Sequence, residues 1–135
     1  MRKLKKHLFC LGIICTAPLV FPSRGFSDEL TIIAVKKNIT LADDEPVFHD
    51  LIINAGENGG LKRNQVLTAF RRVGIRDYSG VQSYGEIDIP VGEIKILSVY
   101  GRVAIARQVK LYPREENPVL DVFGMMSGDR LEAKK

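Results

Sequence analysis

Two runs of strand-forming residues, Val91–Tyr100 and Arg102–Tyr112, are separated by little more than Tyr100-Gly101. So short a joint connects antiparallel strands, because a parallel return needs a crossover of about a dozen residues or more. In the second run Val103, Ile105, Val109 and Leu111 share one face, interrupted by Arg107, while Arg102, Ala104, Ala106, Gln108 and Lys110 share the other. This period of two is the pattern of a strand with two unlike faces. Runs of similar character occur at Leu30–Leu41, Phe48–Asn54, Val66–Val73 and, past Pro118, Val119–Phe123. A last short strand is expected through Arg130 and Leu131, after Gly128-Asp129. Between the second and third runs lies Ala55–Gly60, where Asn58-Gly59 is a strong turn dipeptide. No window sustains helical periodicity over ten residues. Six or so strands punctuated by glycine turns predict an all-β chain, a small antiparallel barrel or sandwich, since closure protects strand edges.

The chain has 135 residues, room for one such domain, and 20 Lys+Arg against 16 Asp+Glu give it a net charge of +4. That charge is unevenly placed. Arg2, Lys3, Lys5 and Lys6 precede an apolar run, Leu8–Val20, and a short polar stretch ending in Gly25-Phe26-Ser27. A basic start, an apolar core and small residues before a cut describe a Sec-type signal peptide, residues 1–27, cleaved before Asp28. The apolar run is shorter than the roughly 20 residues of a membrane span and contains Pro18, so no transmembrane anchor is expected after cleavage. Neither Cys10 nor Cys15 follows the small residue that a lipid-acceptor site wants. The expected location is the periplasm or the medium.

Subtracting residues 1–27 removes five basic side chains, no acidic one, and both cysteines, leaving 15 basic against 16 acidic in residues 28–135. A near-neutral chain lacks the basic footprint of nucleic-acid binding, so no nucleic-acid partner is expected. Without cysteine there is no disulfide framework, thiol nucleophile or zinc–thiolate site. Residues 28–47 read as an N-terminal strand or a loosely attached arm ending at Asp43-Asp44-Glu45-Pro46, and residues 48–135 as the barrel domain.

Catalytic chemistry is hard to assemble from what remains. The single histidine of residues 28–135, His49, sits within a strand run, with Asp50 on the opposite face, and reads as a strand residue rather than a base. Asp43, Asp44 and Glu45 are consecutive and lack the alternating spacing of a calcium loop. Gly56, Gly59 and Gly60 resemble a phosphate cradle only superficially, because no Gly-Lys-Ser/Thr follows and no helix opens there. Asn38-Ile39-Thr40 is a glycosylation sequon only in a eukaryotic secretory pathway. Glu86 and Asp88 share a strand face and are the one carboxylate pair a hydrolase could use, with nothing to set them apart from surface acids. The chain is therefore expected to be no enzyme and to carry no cofactor or metal.

One connection stands out for its length, Gly74–Pro90, because structureless loops that long are uncommon in compact domains and often carry function. Its Tyr78 and Tyr84 make it the expected contact surface, with a solvent-exposed hairpin extension as the bland alternative. Arg71, Arg72 and Arg76 beside it form the densest basic cluster, suited to steering an acidic partner or to guarding a sheet edge.

The order of motifs carries a resemblance. Ile52-Ile53-Asn54-Ala55-Gly56, three residues, then Gly60-Leu61-Lys62 and Val66-Leu67, resembles a module of small barrels in bacterial envelope proteins. Val91–Ile96 and Val103–Ala106 continue it, and Ser127-Gly128-Asp129-Arg130-Leu131 stands as its closing turn. Over Phe48–Leu131 the chain is similar to the C-terminal domain of the flagellar assembly protein T, a periplasmic component around the flagellar basal body. The resemblance implies an SH3-like or OB-like barrel and a role in flagellum-associated assembly. Asn64 stands where these modules carry glycine, and asparagine tolerates the left-handed backbone such a turn needs. The family's other domains are absent from this sequence, which bears on the flagellar role more than on the fold.

The leading expectation is an exported, non-enzymatic module that binds an envelope protein or assembles with itself. A binding module for a cell-wall glycan or small ligand is the alternative, and a hydrolase ranks last. Export has a direct check: the periplasmic species should have a mass beginning at Asp28, and a full-length species held in the membrane would overturn cleavage.

Overall fold

The computed structural model describes residues 29–117 and 119–134. The expected signal peptide and its cleavage point lie outside them. The described chain is all-β: β1 (Ile32–Lys37), β2 (His49–Ile53), β3 (Val66–Arg76), β4 (Ser83–Val99), β5 (Ala104–Leu111) and β6 (Arg130–Ala133), with one-turn 3-10 segments at Glu57–Gly59 and Arg114–Glu116. All six strands belong to one antiparallel sheet in the order β1-β2-β5-β4-β3-β6. The sheet curls into a half-barrel whose outer strands meet at one corner. There Thr31 bridges Arg130, the Ile32 amide donates to the Asp129 carbonyl at 2.9 Å, and the Leu131 amide donates to the Leu30 carbonyl at 2.7 Å. Residues 32–37 are thus a strand of the barrel sheet, and Ile32 is buried.

The concave face holds the core. Ile32, Leu51, Ile53, Leu67, Ile94 and Ile96 are fully buried, with Ala69, Ala104, Ala106 and Leu131 between them. Of the two faces of β5, the inward one is the alanine face. The strand lies between β2 and β4 near the middle of the sheet, where inward side chains converge and small ones fit. Ile105 and Arg107 point outward, and Arg107 is held by Asp50 on β2 (2.7 and 3.0 Å) and stacked 4.1 Å above the Phe48 ring. The cation that interrupts the apolar face in sequence is therefore at home on the convex side.

Two connections cover the ends of the barrel. Residues 54–65 wrap the β4–β5 turn: Gly56 lies against the Tyr100 and Val103 carbonyl oxygens, leaving no space for a Cβ, and Leu61 is buried beneath. This segment then closes through Asn64, whose φ of 67° is the left-handed conformation expected of that position. Residues 112–129 cover the other end with Leu120 and Met125.

Three expectations are corrected. Val119–Phe123 is not a strand; the Val122 and Gly124 carbonyls accept from the Arg71 guanidinium instead of a strand neighbour. The first strand is shorter than Leu30–Leu41, since Asn38–Phe48 is an exposed loop closed by the Asn38 side chain, which accepts from the Phe48 amide and donates to the Pro46 carbonyl. Gly74–Pro90 is not a structureless loop but the hairpin extension weighed as its alternative. Its residues extend β3 and β4 into a long hairpin whose connection is only Asp77–Gln82. Asp77 makes so tight a turn possible: its backbone pairs with Gln82 and Gly80, and its carboxylate accepts from Ser79 and the Gln82 amide.

Gly92, on β4, offers a test of the packing. A Cβ there would overlap the Lys110 carbonyl of β5 and come within 2.8 Å of Met125 Cε. Gly92→Ala is expected to cost about 1 to 3 kcal/mol by chemical denaturation, and a neutral result would overturn the close β4–β5 approach.

Candidate functional site

The curled sheet consumes only part of its longest hairpin. β6 pairs with β3 no further than Phe70, and β5 pairs with β4 no further than Gly92, so residues 71–89 run on as a two-stranded arm. The arm passes the barrel end covered by residues 112–129, where the Asn117 side chain still donates to the Pro90 carbonyl. Cross-strand pairing aligns Val73 with Ile87 and Ile75 with Gly85 on the face that continues the core, and Arg72 with Asp88 and Gly74 with Glu86 on the other. The apolar stripe of the barrel thus continues along one side of the arm: Ile89 is buried, Val73 packs against the core, and Ile87 is exposed. At the tip Tyr78 is fully exposed and Val81 is 87% exposed; Tyr84, on β4, is exposed as well.

All five residues expected to contact a partner come together on this arm: Arg71, Arg72 and Arg76 on β3, Tyr78 in the turn, and Tyr84 on β4. Their surroundings differ. Arg71 follows Leu67 and Ala69 on the inward face and sits where the arm leaves the barrel. Its Nε and Nη2 make a two-pronged pair with Asp129, each bond 2.8 Å, and its other contacts are the Val122 and Gly124 carbonyls at 2.6 Å. Its side chain is 12% exposed and that of Asp129 2%. Arg72 points outward to Glu29 (2.9 Å), Asp88 (3.4 Å) and Glu86 (3.7 Å). Glu29 and Asp88 raise its pKa further, so it is charged at any pH the fold meets. Arg130 joins the same cluster through Asp88 (2.6 Å) and Glu132 (3.0 Å). Exposed pairs of this kind contribute little singly, and together they tie the root of the arm to β6 and the chain before β1. Arg76 and both tyrosines make no side-chain bond among the described residues.

The carboxylates weighed for hydrolysis, Glu86 and Asp88, both face Arg72 in this cluster. Elsewhere the Ser79 hydroxyl, followed by the Gln82, Val81 and Gly80 amides, holds the Asp77 carboxyl below its ordinary range, so the hairpin turn keeps its charge at neutral pH. Tyr112 donates to Glu93 at 2.9 Å, and Lys134 reaches the same carboxylate at 3.0 Å. Burial, then this hydrogen bond, raises the Tyr112 pKa. The Lys134 and Tyr112 bonds lower that of Glu93. Gly56, part of the apparent phosphate cradle, faces carbonyl oxygens, which would repel an anion. Among the described residues no three His, Cys, Asp or Glu side chains gather as metal ligands, and no helix is long and apolar enough to cross a membrane.

Two concavities accompany the arm. Inside the barrel end, by Val91, Tyr112 and Leu120, a cavity of about 10 Å³ holds one water at most. Outside the opposite end an open groove of about 540 Å³ runs past Glu57, Lys62, Arg63 and Tyr100. Comparison with family models, curated proteins and solved structures returned no match for this chain.

The Arg71–Asp129 pair was not anticipated from sequence, although alternation from Leu67 and Ala69 puts Arg71 on the inward face. Arg71→Met leaves the Asp129 carboxylate buried and is expected to destabilise the fold by about 3 to 5 kcal/mol. Adding Asp129→Leu should recover part of that loss in a double-mutant cycle; simple additivity would show the two side chains act separately.

Proposed function

We propose that this chain is an exported, non-enzymatic β-barrel module that binds another protein of the bacterial envelope through its β3–β4 arm. The single observation that carries the reading is the arm itself: residues 71–89 leave the barrel with Val73, Ile75 and Ile87 along one side and Tyr78, Val81 and Tyr84 toward the tip. A two-stranded ribbon on its own is marginal in water, and although Val73 still packs against the core, Ile87, Tyr78, Val81 and Tyr84 are exposed. Both are explained if a partner covers them. The export sequence and the resemblance to flagellar envelope barrels support the envelope as the place and flagellum-associated assembly as the setting.

A cell-wall glycan or small ligand is the second reading, and the open groove beside Tyr100 gives it a footing. Replacing residues 73–87 with Asn-Gly joins Arg72 to Asp88 by a tight hairpin turn and removes the arm while keeping the barrel. In intact cells the full chain should cross-link to one stoichiometric envelope protein, and the shortened chain, folded by circular dichroism, should lose it. Cross-links that survive the deletion would sink the arm as the contact. Retention of both forms on purified cell wall would favour the glycan.

A further inference from the structure

The arm has two unpaired edges, and they differ in charge. Along β4 the outward residues are Glu86 and Asp88; along β3 they are Arg72, Gly74 and Arg76. Residues 72–76 make no backbone hydrogen bond on the side away from β4 among the described residues. Alternate amides and carbonyls there are available to an added strand.

Gly74 separates this edge from an ordinary one. The glycines at 56 and 92 are required by backbone oxygens that occupy the place of a Cβ. At Gly74 nothing lies within 4 Å of a Cβ, and its φ is not in the left-handed range. No contact among the described residues calls for glycine here, yet glycine weakens a strand, and it weakens most a ribbon that stands alone. Its neighbours on the same face are Arg72 and Arg76, each about 7 Å away along the strand. Arg76 has no ion-pair partner among the described residues. Arg72 already donates to carboxylates, of Glu29 at 2.9 Å and of Asp88 and Glu86 on β4, so Arg76 is the cation an added strand would meet uncompensated. On the opposite face Val73 and Ile75 are half-buried and apolar.

We infer that the β3 edge, Arg72–Arg76, receives an extended segment of the partner protein as an added strand, with acidic side chains facing Arg72, Gly74 and Arg76 and apolar ones facing Val73 and Ile75. This rests on the arm being the contact surface, and it names which edge is used and what chemistry fits it. Main-chain bonds supply affinity and the alternating side chains supply choice, as in other strand-addition complexes. An acidic strand is steered to β3 and turned away from β4, where Glu86 and Asp88 would oppose it. A basic strand would make the opposite choice.

The test uses the isotope-labelled protein titrated with two synthetic peptides of about ten residues, one alternating Glu with Val and one alternating Lys with Val. The acidic peptide should shift the backbone amides of residues 72–76, and the basic peptide should leave them in place. Gly74→Thr has open space and a strand-forming side chain that stands perpendicular to an added strand, so it should keep or raise the melting temperature and leave the acidic peptide bound. Arg76→Glu should weaken the acidic peptide about tenfold. No shifts, shifts along residues 83–88 instead, or unchanged binding by Arg76→Glu would each overturn the inference. Shifts at residues 72–76 that appear without peptide as the protein is concentrated would assign the edge to a second copy and overturn it too. Photo-cross-linkers placed in cells at Arg76, Tyr84 and Ile87 separate the two levels. Capture from Tyr84 or Ile87 but not Arg76 keeps the arm and rejects the edge, whereas no capture from any of the three rejects both.

Discussion

A guanidinium and a carboxylate buried at the mouth of the barrel hold its separate parts to one another. Arg71 belongs to β3, and Asp129 immediately precedes β6. The Asp129 carboxylate also accepts the Met126 amide at 2.9 Å, and its backbone carbonyl accepts the Ile32 amide of β1. Through Arg71 the same pair fixes the carbonyls of Val122 and Gly124 in the long β5–β6 connection. Removing two charges from water is costly, and such a pair is sustained only when the remaining donors and acceptors are satisfied. Four of Arg71's bonds and the Met126 amide meet that condition. Closure of the sheet corner, placement of the end-covering segment and the departure point of the arm all depend on it.

Beyond that pair the hairpin no longer belongs to the barrel. Up to Phe70 and down to Gly92, β3 and β4 have strand neighbours on both sides; past those points their ladder is with each other, and β4 keeps bonds from the Tyr112 amide to Val91 and from Asn117 to Pro90. The arm consequently has fewer supporting contacts than the barrel and carries exposed apolar side chains, a combination typical of binding elements. The outward ion cluster of Glu29, Arg72, Asp88 and Arg130 braces its root, while Asp77 shapes its tip. Between brace and tip the arm has its own ladder and the contact of Val73 with the core, and Gly74 loosens the ladder.

The architecture was legible in the chain because sheet patterning is local. Period-two alternation, the tight joint at Tyr100-Gly101 and the turn at Asn64 are set by residues adjacent in sequence. The arm was partly legible. Its tyrosines and arginines drew notice, but the length of the stretch between strand runs gave it the look of a loop, and the Asp77 side chain that makes it a hairpin acts over only six residues. The expected strand at Val119–Phe123 failed for a non-local reason, since the bonds that decide its shape come from Arg71, about fifty residues earlier.

The sequence by itself determined an antiparallel all-β chain with turns at definite places, and it showed a basic, apolar start unlike the near-neutral remainder. Only the tertiary structure decided which face of each strand is the core, because alternation defines two faces and curvature selects between them. It chose the alanines of β5 for the inside and left Ile105 half-exposed. It also separated three neighbouring arginines into a buried tie, a surface brace and, at the edge of an arm, a cation that has no ion-pair partner among the described residues. Charge and spacing are nearly alike for the three, and what distinguishes them is the distant carboxylates, of Asp129 and of Glu29 with Asp88, that folding brings to the first two.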